Sequence, residues 1–144
     1  MGRYVGIDHG DRRFGVALSD AGAVLASPRD VVEGEAALER YLERLIRDEE
    51  VIGLVVGLPL NMDGSAGPRA AKVRAFVARL EARFGLPVAT WDERLTSFQA
   101  ESLLLEAGVR GSRRRARVDV VAAQLILQGF LDAQRPRQDP GEAT

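Results

Sequence analysis

The chain has 144 residues, which is enough for one domain with a buried core and too few for two. Hydrophobic residues make up 46% of it and charged residues 28%, a balance that excludes a disordered or fibrous protein. It contains no cysteine, which excludes a disulfide scaffold, a thiolate zinc site and a cysteine nucleophile, so any metal must be bound by oxygen. The sequence shows neither a secretory signal nor an apolar run near the ~20 residues that span a bilayer, and we expect a cytoplasmic protein.

The net charge of −1 conceals an uneven distribution along the chain. Residues 110–144 contain seven basic and four acidic side chains, a net charge of +3, which leaves −4 for the residues before them. Of the 20 basic residues, 19 are Arg and only Lys72 is Lys. The C-terminal quarter is therefore the cationic end of the molecule.

The first half of the chain predicts three strands, a helix and a fourth strand. Short apolar runs at residues 3–8, 14–19 and 24–28 are separated by turns that permit only antiparallel hairpins, which predicts a three-stranded meander. Within residues 35–50, apolar side chains recur at intervals of three and four, the pattern of an amphipathic helix. Residues 51–58 are almost wholly apolar, which is typical of a strand covered on both faces.

The second half predicts three helices and one further strand. Residues 59–67 form the longest turn-rich segment, and a proline suited to the first helical turn then opens a helix predicted over residues 68–85. Residues 87–91 predict a fifth strand that stops at two carboxylates. A capping-box pattern opens a helix predicted over residues 96–108, and after an Arg-rich stretch the last helix is predicted over roughly residues 118–133.

This order of elements predicts an α/β fold. The last two strands are each reached over a helical crossover, so they should pair in parallel through right-handed connections. The result is a mixed five-stranded sheet whose first three strands are antiparallel, with helices on both faces. We expect residues 1–135 to form a single domain and residues 136–144 a flexible polar tail.

In such a sheet, functional polar groups converge at the ends of neighbouring strands and in the loops that follow them. Three acidic residues are predicted at such positions. Asp8 ends the first strand, Glu93 follows the fifth, and Asp119 is predicted in the first turn of the last helix. Asp92 is adjacent to Glu93, and alternation along a strand sends the two side chains to opposite faces. An orienting or structural role is favoured for Asp92, which stays a further candidate ligand.

Carboxylates gathered at one sheet edge repel one another and raise one another's pKa unless a cation joins them. Oxygen ligands of this kind select Mg²⁺ or Mn²⁺, and two such ions about 3.5–4 Å apart can activate a water and stabilise the leaving oxygen of a phosphodiester. The pattern therefore predicts a metal-dependent nuclease site in which Asp8, Glu93 and Asp119 are the catalytic metal ligands.

Acids in these places also have structural explanations. A lone acid at a strand end is commonly a turn former, and an acid in a first helical turn is favoured by the helix dipole. Turn chemistry is the interpretation adopted for Asp11, Asp20 and Asp63. The single histidine, His9, flanks Asp8 and should point to the other face of the sheet, which favours packing or solvent contact over metal binding.

Arginines cluster around the proposed site. Their planar forks match phosphate oxygens in two-point contacts, and a cationic rim beside an anionic metal site suits an enzyme that cleaves nucleic acid. The clustering is informative, whereas the choice of Arg over Lys reflects a bias of the whole chain. The candidate nucleic-acid-binding arginines are Arg12 and Arg13 in the first hairpin turn, Arg94 after Glu93, and Arg113, Arg114, Arg115 and Arg117 before Asp119.

The turn-rich segment contains a further candidate. Asn61 and Ser65 belong to an Asn-Met-Asp-Gly-Ser run that precedes a helix N-terminus, whose free N–H groups can bind a phosphate. A tight turn with a capping residue explains the same pattern equally well.

Four blocks of the sequence together carry a resemblance to a known family. They are GIDHGDRRFGVALSD at residues 6–20, VGLPLNMDGS at 56–65, DERLTS at 92–97 and VDVVAAQLILQ at 118–128. In this order, and spanning nearly the whole chain, they resemble the YqgF or RuvX-like nucleases of bacteria, within the ribonuclease H-like superfamily.

The resemblance implies a ribonuclease H-like fold with the strand order 3-2-1-4-5 and a divalent-metal nuclease that acts on structured nucleic acid. Family members are described as processing the 5′ end of the 16S ribosomal RNA precursor, and were earlier proposed to resolve Holliday junctions. The family's acidic positions fall on Asp8, Glu93 and Asp119. Before the last block the family usually has lysine where this chain has arginine, so charge is kept but a lysine-specific role would be lost.

The leading hypothesis is a Mg²⁺- or Mn²⁺-dependent endonuclease acting on structured RNA, with precursor ribosomal RNA as the first candidate. A resolvase of four-way DNA junctions is the alternative, and it would need a homodimer with two active sites. A nucleic-acid-binding module without catalysis is a third hypothesis, against which the three intact carboxylates argue. The Gly-Ile-Asp run also opens actin-like ATPases, but these need two such domains and this chain has one. Metal ions and arginines contact the phosphate backbone of a nucleic acid, which RNA and DNA share. The sequence is therefore compatible with either substrate.

Overall fold

The computed structural model describes residues 2–94 and 111–134, and of residues 111–117 it describes the backbone alone. Within these residues there are five strands and three helices. The strands are β1 (Arg3–His9), β2 (Arg13–Ser19), β3 (Ala26–Glu33), β4 (Val51–Leu58) and β5 (Val88–Asp92). The helices are α1 (Glu35–Asp48), α2 (Pro68–Phe84) and α3 (Gly111–Gln134).

The five strands form one mixed sheet in the order β3-β2-β1-β4-β5. β1 is antiparallel to β2 and β2 to β3, whereas β4 is parallel to both β1 and β5. The meander, the two parallel strands and the strand order are confirmed. The C-terminal ends of β1, β4 and β5 consequently share one edge of the sheet.

The third strand is where the prediction was wrong in its bounds. Instead of spanning residues 24–28, β3 begins two residues later and extends further. Val24 and Leu25 belong to a turn in which their N–H groups donate to the Asp20 carboxylate, each at 2.8 Å. β3 is an edge strand with mostly exposed side chains, so it lacks the apolar alternation on which the prediction depended. An edge position also tolerates Pro28, because one side of the strand needs no donor.

The sheet has a hydrophobic core on each face. On one face the buried side chains of Ile7 and Leu54 pack with those of α1 and α2. On the other, Val55 packs with Ala123 and Ile126 of α3. Since neighbouring residues of β4 enter opposite cores, the strand needs apolar residues at almost every position. The predicted helices on both faces are confirmed.

The last helix begins earlier than predicted. α3 begins at Gly111 rather than near residue 118, so Asp119 lies in its third turn and not its first. The apolar periodicity starts only at Val118, whereas the arginines before it favour a helix without marking a face. The dipole explanation of Asp119, which needed a first-turn position, therefore does not apply.

Other predictions concern parts of the chain that the structure does not describe. The predicted helix at residues 96–108 and the tail at residues 136–144 lie outside the described residues. No described helix combines the length and the apolar character that crossing a membrane requires.

The close approach of α3 to the sheet depends on glycine. A Cβ atom placed on Gly15 would lie 1.9 Å from the carbonyl oxygen of Asp119, and one placed on Gly6 would lie 2.6 Å from Cβ of Leu127. The obstacle at Gly15 is the main chain of the helix, which cannot move aside as the end of a flexible side chain can. The two glycines therefore set how closely the helix packs on β1 and β2.

The substitution Gly15→Ala should accordingly push α3 away from the sheet and lower the free energy of unfolding by about 1–3 kcal/mol or more. The matched control is Gly22→Ala, whose Cβ would lie 3.3 Å from the carboxylate of Asp20 in an exposed turn. Urea denaturation of both variants and the wild type measures the effect. Equal stability of Gly15→Ala and wild type would contradict the close packing of α3 on β2 at Gly15.

Candidate active site

Three acids from three different elements meet at the shared edge of the sheet, on the face covered by α3. Asp8 lies near the C-terminal end of β1, Glu93 directly follows β5, and Asp119 belongs to α3. The N–H of Glu93 donates to the carbonyl of Leu58 at 3.2 Å, which fixes Glu93 at the end of β4. The negative charges of Glu93 and Asp119 both act on Asp8. The structure thus pairs Asp8 with Glu93 and places Asp119 near enough for its charge to act on Asp8.

Asp8 and Glu93 form a tightly interacting pair of carboxyl groups. Burial, followed by the negative charges of Glu93 and Asp119, holds the pKa of Asp8 well above its ordinary value. Burial also raises the pKa of Glu93, although a hydrogen bond from Asp8 and the charge of Arg69 oppose that rise. Two ionised carboxylates cannot hydrogen-bond to each other, so the pair needs either a shared proton or a cation.

Glu93 has one oxygen without any donor. Its Oε2 is buried and has no hydrogen-bond partner among the described residues. The space that this oxygen occupies exists because residue 57 is glycine: a Cβ there would lie 2.3 Å from Oε2 of Glu93 and 2.5 Å from Cδ1 of Ile126. A buried carboxylate oxygen left unpaired is costly, which points to a ligand at this position.

Asp119 has a partner of the opposite charge. Nε of Arg13 lies 3.4 Å from Oδ2 of Asp119, with about 22% of the Asp119 side chain exposed. Burial raises the pKa of Asp119 and the charge of Arg13 opposes that rise. Arg13, predicted to contact nucleic acid, therefore neutralises the third acid of the cluster.

The donor set fits a hard divalent cation. Carboxylate oxygens are the ligands that Mg²⁺ and Mn²⁺ prefer, and Glu93 combines an interaction with Asp8 and a buried Oε2 that has no donor among the described residues. Across the described residues, no three His, Asp or Glu side chains form a complete metal-binding group. A cation would therefore bind to Asp8 and Glu93 and fill its shell with water or substrate phosphate, as Mg²⁺ commonly does. Asp119 would join this shell only on leaving Arg13.

Asp92 and Arg94 form a salt bridge beside the cluster. Nε of Arg94 donates to Oδ2 of Asp92 at 2.8 Å, and the main-chain N–H of Arg94 donates to Oδ1 at 3.1 Å. The hydrogen bonds from Arg94 lower the pKa of Asp92. Asp92 thus holds the side chain of Arg94, an arginine predicted to bind nucleic acid.

The loop between β4 and α2 is closed by its own hydrogen bonds. The N–H of Asn61 donates to the Ser65 carbonyl at 2.9 Å, and Nδ2 of Asn61 donates to Oγ of Ser65 at 3.0 Å. Oγ and the N–H of Ser65 both donate to Oδ1 of Asp63. Nη1 of Arg94 donates to the carbonyl of Met62 at 3.4 Å. The polar groups of Asn61 and Ser65 therefore build the turn, and the loop lies against the residue that follows Glu93.

The remaining predicted arginines differ in what the structure shows of them. Arg12 is exposed in the first hairpin turn, where its carbonyl accepts a hydrogen bond from the N–H of Gly34. Side chains are not described for the following candidates, whose backbone lies in α3: Arg113, Arg114, Arg115 and Arg117.

Arg69 lies near the acids and is not among the candidates predicted from the sequence. It lies exposed in the first turn of α2, and its charge acts on Asp8, His9 and Glu93. Within the described residues it makes no salt bridge. Its position after a loop that starts at the C-terminal end of β4 was the one available signal.

His9 packs on the opposite face, as alternation predicted. Its ring stands edge-on to Phe14 and Phe76, with centroid distances of 5.2 and 4.8 Å. Burial lowers the pKa of His9, which favours the neutral ring. Asp20 and Asp63 stabilise turns, as predicted, because their carboxylates accept hydrogen bonds from nearby main-chain N–H groups.

The fold is shared with solved structures of resolvases. T. thermophilus RuvC in complex with a Holliday junction substrate has a TM-score of 0.55 at 17% identity, over 93% of this chain and 96% of that chain. The fowlpox virus resolvase in complex with Holliday junction DNA has a TM-score of 0.53 at 11% identity, over 93% and 99%. The sheet order, the acidic cluster and this likeness define the class: a ribonuclease H-like fold.

Sequence comparisons place the chain within that class. The family model described as "RuvX: Holliday junction resolvase" matches residues 2–133. A relative from Pelotomaculum thermopropionicum, named "Putative pre-16S rRNA nuclease", is 51% identical over 96% of this chain and 93% of its own length. One of the same name from a Roseiflexus species is 47% identical over 93% and 96%. The chain belongs to the RuvX family, and it is a nuclease.

The carboxyl cluster makes a prediction about stability in the absence of metal. Because Asp8 has a raised pKa in the folded state, the folded protein binds more protons than the unfolded chain at pH values above the ordinary 3.8. The contribution of Asp8 to the free energy of unfolding therefore falls as the pH rises from 3.8 through the raised pKa of the folded state. Asp8→Asn should raise the melting temperature at neutral pH by at least about 3 °C, which corresponds to about 1 kcal/mol at this chain length.

The measurement is a series of thermal melts in EDTA between about pH 4 and pH 8, a range that begins near the ordinary pKa of a carboxyl group. The difference between Asp8→Asn and wild type should grow with pH, and Mg²⁺ should stabilise the wild type more than the variant. Asp11→Asn, at an exposed position in the first hairpin turn, is the control. A variant less stable than wild type at neutral pH would contradict the described repulsion.

Proposed function

We propose that this protein is a divalent-metal-dependent endonuclease that cleaves structured RNA, with the 5′ end of the 16S rRNA precursor as its substrate. The observation that carries the proposal is the Asp8 and Glu93 pair with the buried, unpaired Oε2 of Glu93. Such a pair binds a cation where two neutral residues would not. A ribosomal precursor would also place the protein in the cytoplasm.

Asp8 and Glu93 would hold Mg²⁺ or Mn²⁺, and Asp119 would complete the ligand set once the substrate engages Arg13. When bound, two cations supply an activated water and stabilise the leaving 3′ oxygen. The protein's own contribution is to fix the carboxylates at one edge of a rigid sheet, with Glu93 in the space beside Gly57. This preorganisation aligns the scissile phosphate with the water.

The arginines around the cluster would bind the phosphates that flank the cut. Arg69 is exposed and its charge acts on Asp8 and Glu93, Arg13 contacts Asp119, and Arg12 lies next to Arg13. Arg94 has a carboxylate partner, so its role would be to position the loop that lines the site, with phosphate contact as a secondary role. The remaining candidates, Arg113, Arg114, Arg115 and Arg117, would add positive charge for nucleic-acid binding.

RNA is favoured over DNA by the relatives at about half identity, whose names specify pre-16S rRNA. The second candidate substrate is a four-way DNA junction, favoured by the description of the matching family model as a Holliday junction resolvase. Paired nicks across a junction require two active centres, so that function would need a symmetric dimer.

The proposal is tested by assaying the purified protein side by side on precursor 16S rRNA and on a four-way DNA junction, each with Mg²⁺ and with Mn²⁺. We expect cleavage of the RNA and none in EDTA. Asp8→Asn, Glu93→Gln and Asp119→Asn should each slow cleavage about 100-fold or more, because each removes a ligand worth several kcal/mol in the transition state.

The control for these variants is Asp48→Asn, which alters an exposed carboxylate paired with Arg47 at the end of α1. Cleavage of neither substrate, or an unchanged rate in Asp8→Asn, would overturn the proposal. Cleavage of the junction alone, by a species that sediments as a dimer, would replace the RNA substrate with the DNA junction.

Arg69 has a separate prediction. Arg69→Ala should raise KM about tenfold and change kcat little, because a charge-assisted hydrogen bond to a phosphate is worth about 1.5–3 kcal/mol. The matched control is Arg74→Ala, another exposed arginine further along α2. Steady-state kinetics at two salt concentrations measure both, and the Arg69 effect should shrink as salt rises. The same KM for both variants would exclude Arg69 from substrate binding.

A further inference from the structure

Met62 is the most exposed large apolar side chain in the part of the chain that the structure describes, with 77% of its surface accessible. A single exposed apolar residue on a protein surface needs no explanation by itself. Met62 differs from the other exposed apolar residues in two respects. Its loop is closed by hydrogen bonds, and its main-chain carbonyl accepts a hydrogen bond from Arg94. Leu25, 64% exposed, lies in the turn between β2 and β3 at the opposite end of the sheet.

The main chain on both sides of Met62 is held by short-range hydrogen bonds. The N–H of Gly64 donates to the carbonyl of Asn61 at 2.8 Å, and the loop is closed by Asn61 and Ser65. Leu60 and Ala66 form an antiparallel bridge at its base. The loop presents the methionine from a closed turn, so little main-chain entropy remains to be lost when a ligand binds.

The same loop is attached to the catalytic edge. Nη1 of Arg94 donates to the Met62 carbonyl at 3.4 Å, and a Cβ on Gly64 would lie 3.5 Å from that nitrogen. Arg94 follows Glu93 directly and is itself held by Asp92. The loop that presents Met62 is therefore tied, through its main chain and Arg94, to the residue that follows Glu93.

We propose that Met62 packs against the face of an unpaired nucleobase next to the scissile phosphate, so that the enzyme selects substrates with an unstacked nucleotide at the cut. This inference rests on the proposed nuclease function. A thioether is polarizable and packs well on aromatic faces, and apolar side chains that enter base steps are a recurrent means of holding nucleic acid in a distorted form. In a continuous duplex the base faces are covered by their neighbours, whereas an unpaired base offers its face.

The test uses two RNA duplexes that differ only at the mapped cleavage position, one fully paired and one with a single unpaired 2-aminopurine. Wild type should cleave the second with the higher kcat/KM, and its binding in Ca²⁺ should raise the 2-aminopurine fluorescence as the base leaves the stack. Met62→Ala should lower kcat/KM on the unpaired substrate about tenfold and remove most of the fluorescence rise. On the paired duplex it should change little.

Met62→Leu keeps an apolar side chain and should retain most of both signals, and Leu25→Ala, remote from the site, should behave as wild type. Because the Met62 side chain is exposed, the variants should melt as wild type does. Equal behaviour of Met62→Ala and Leu25→Ala on both duplexes would overturn the inference while leaving the nuclease function intact. If wild type cleaves no RNA, the proposed function fails, and the fluorescence comparison alone then decides the role of Met62.

Discussion

The contact between α3 and the sheet is the constraint on which the rest of the site depends. A helix can approach β2 closely enough for its carbonyl at Asp119 to occupy the place of a Cβ atom only because residue 15 is glycine. Gly6 likewise lacks a Cβ atom where Leu127 of the helix approaches β1. Gly57 leaves the space that the Glu93 side chain occupies. These missing side chains allow Glu93 to pair with Asp8 and bring Asp119 of the helix near enough for its charge to act on Asp8.

That packing imposes an electrostatic cost at its centre. Burial and neighbouring charge disfavour the ionised forms of Asp8 and Glu93, and no donor among the described residues compensates the buried oxygen of Glu93. Arg13 relieves Asp119, and Arg69 acts on the other two from the edge of α2. The arrangement is unfavourable for a protein alone and favourable for one that binds a cation, which is the usual exchange of stability for function at an active site.

Periodicity predicted most of the fold because most elements bury one face. β4 and the helices have clear apolar patterns, and strand-end positions alone identified Asp8 and Glu93. β3 was misplaced because an edge strand buries few side chains, and the start of α3 was missed because its arginines mark no face. Arg69 has no local signal, since an exposed arginine in a first helical turn is ordinary until the strands beside it are placed. The spacing roles of Gly15 and Gly57 depend on contacts between distant segments, which no local pattern contains.

The structure also changes what the arginines contribute. Arg94, Arg13 and Arg69 each carry one positive charge, but they should not contribute equally to phosphate binding. Arg94 and Arg13 each have a carboxylate partner already. Affinity for a phosphate backbone comes from cations that exchange counterions for phosphates, so an arginine that must first leave an acid contributes less. For Arg13 that exchange has a consequence, because a phosphate that draws it away also releases Asp119 toward the other two acids. Substrate binding would then complete the ligand set, because a cation held by Asp8 and Glu93 would gain Asp119 as a third ligand only when a phosphate occupies Arg13.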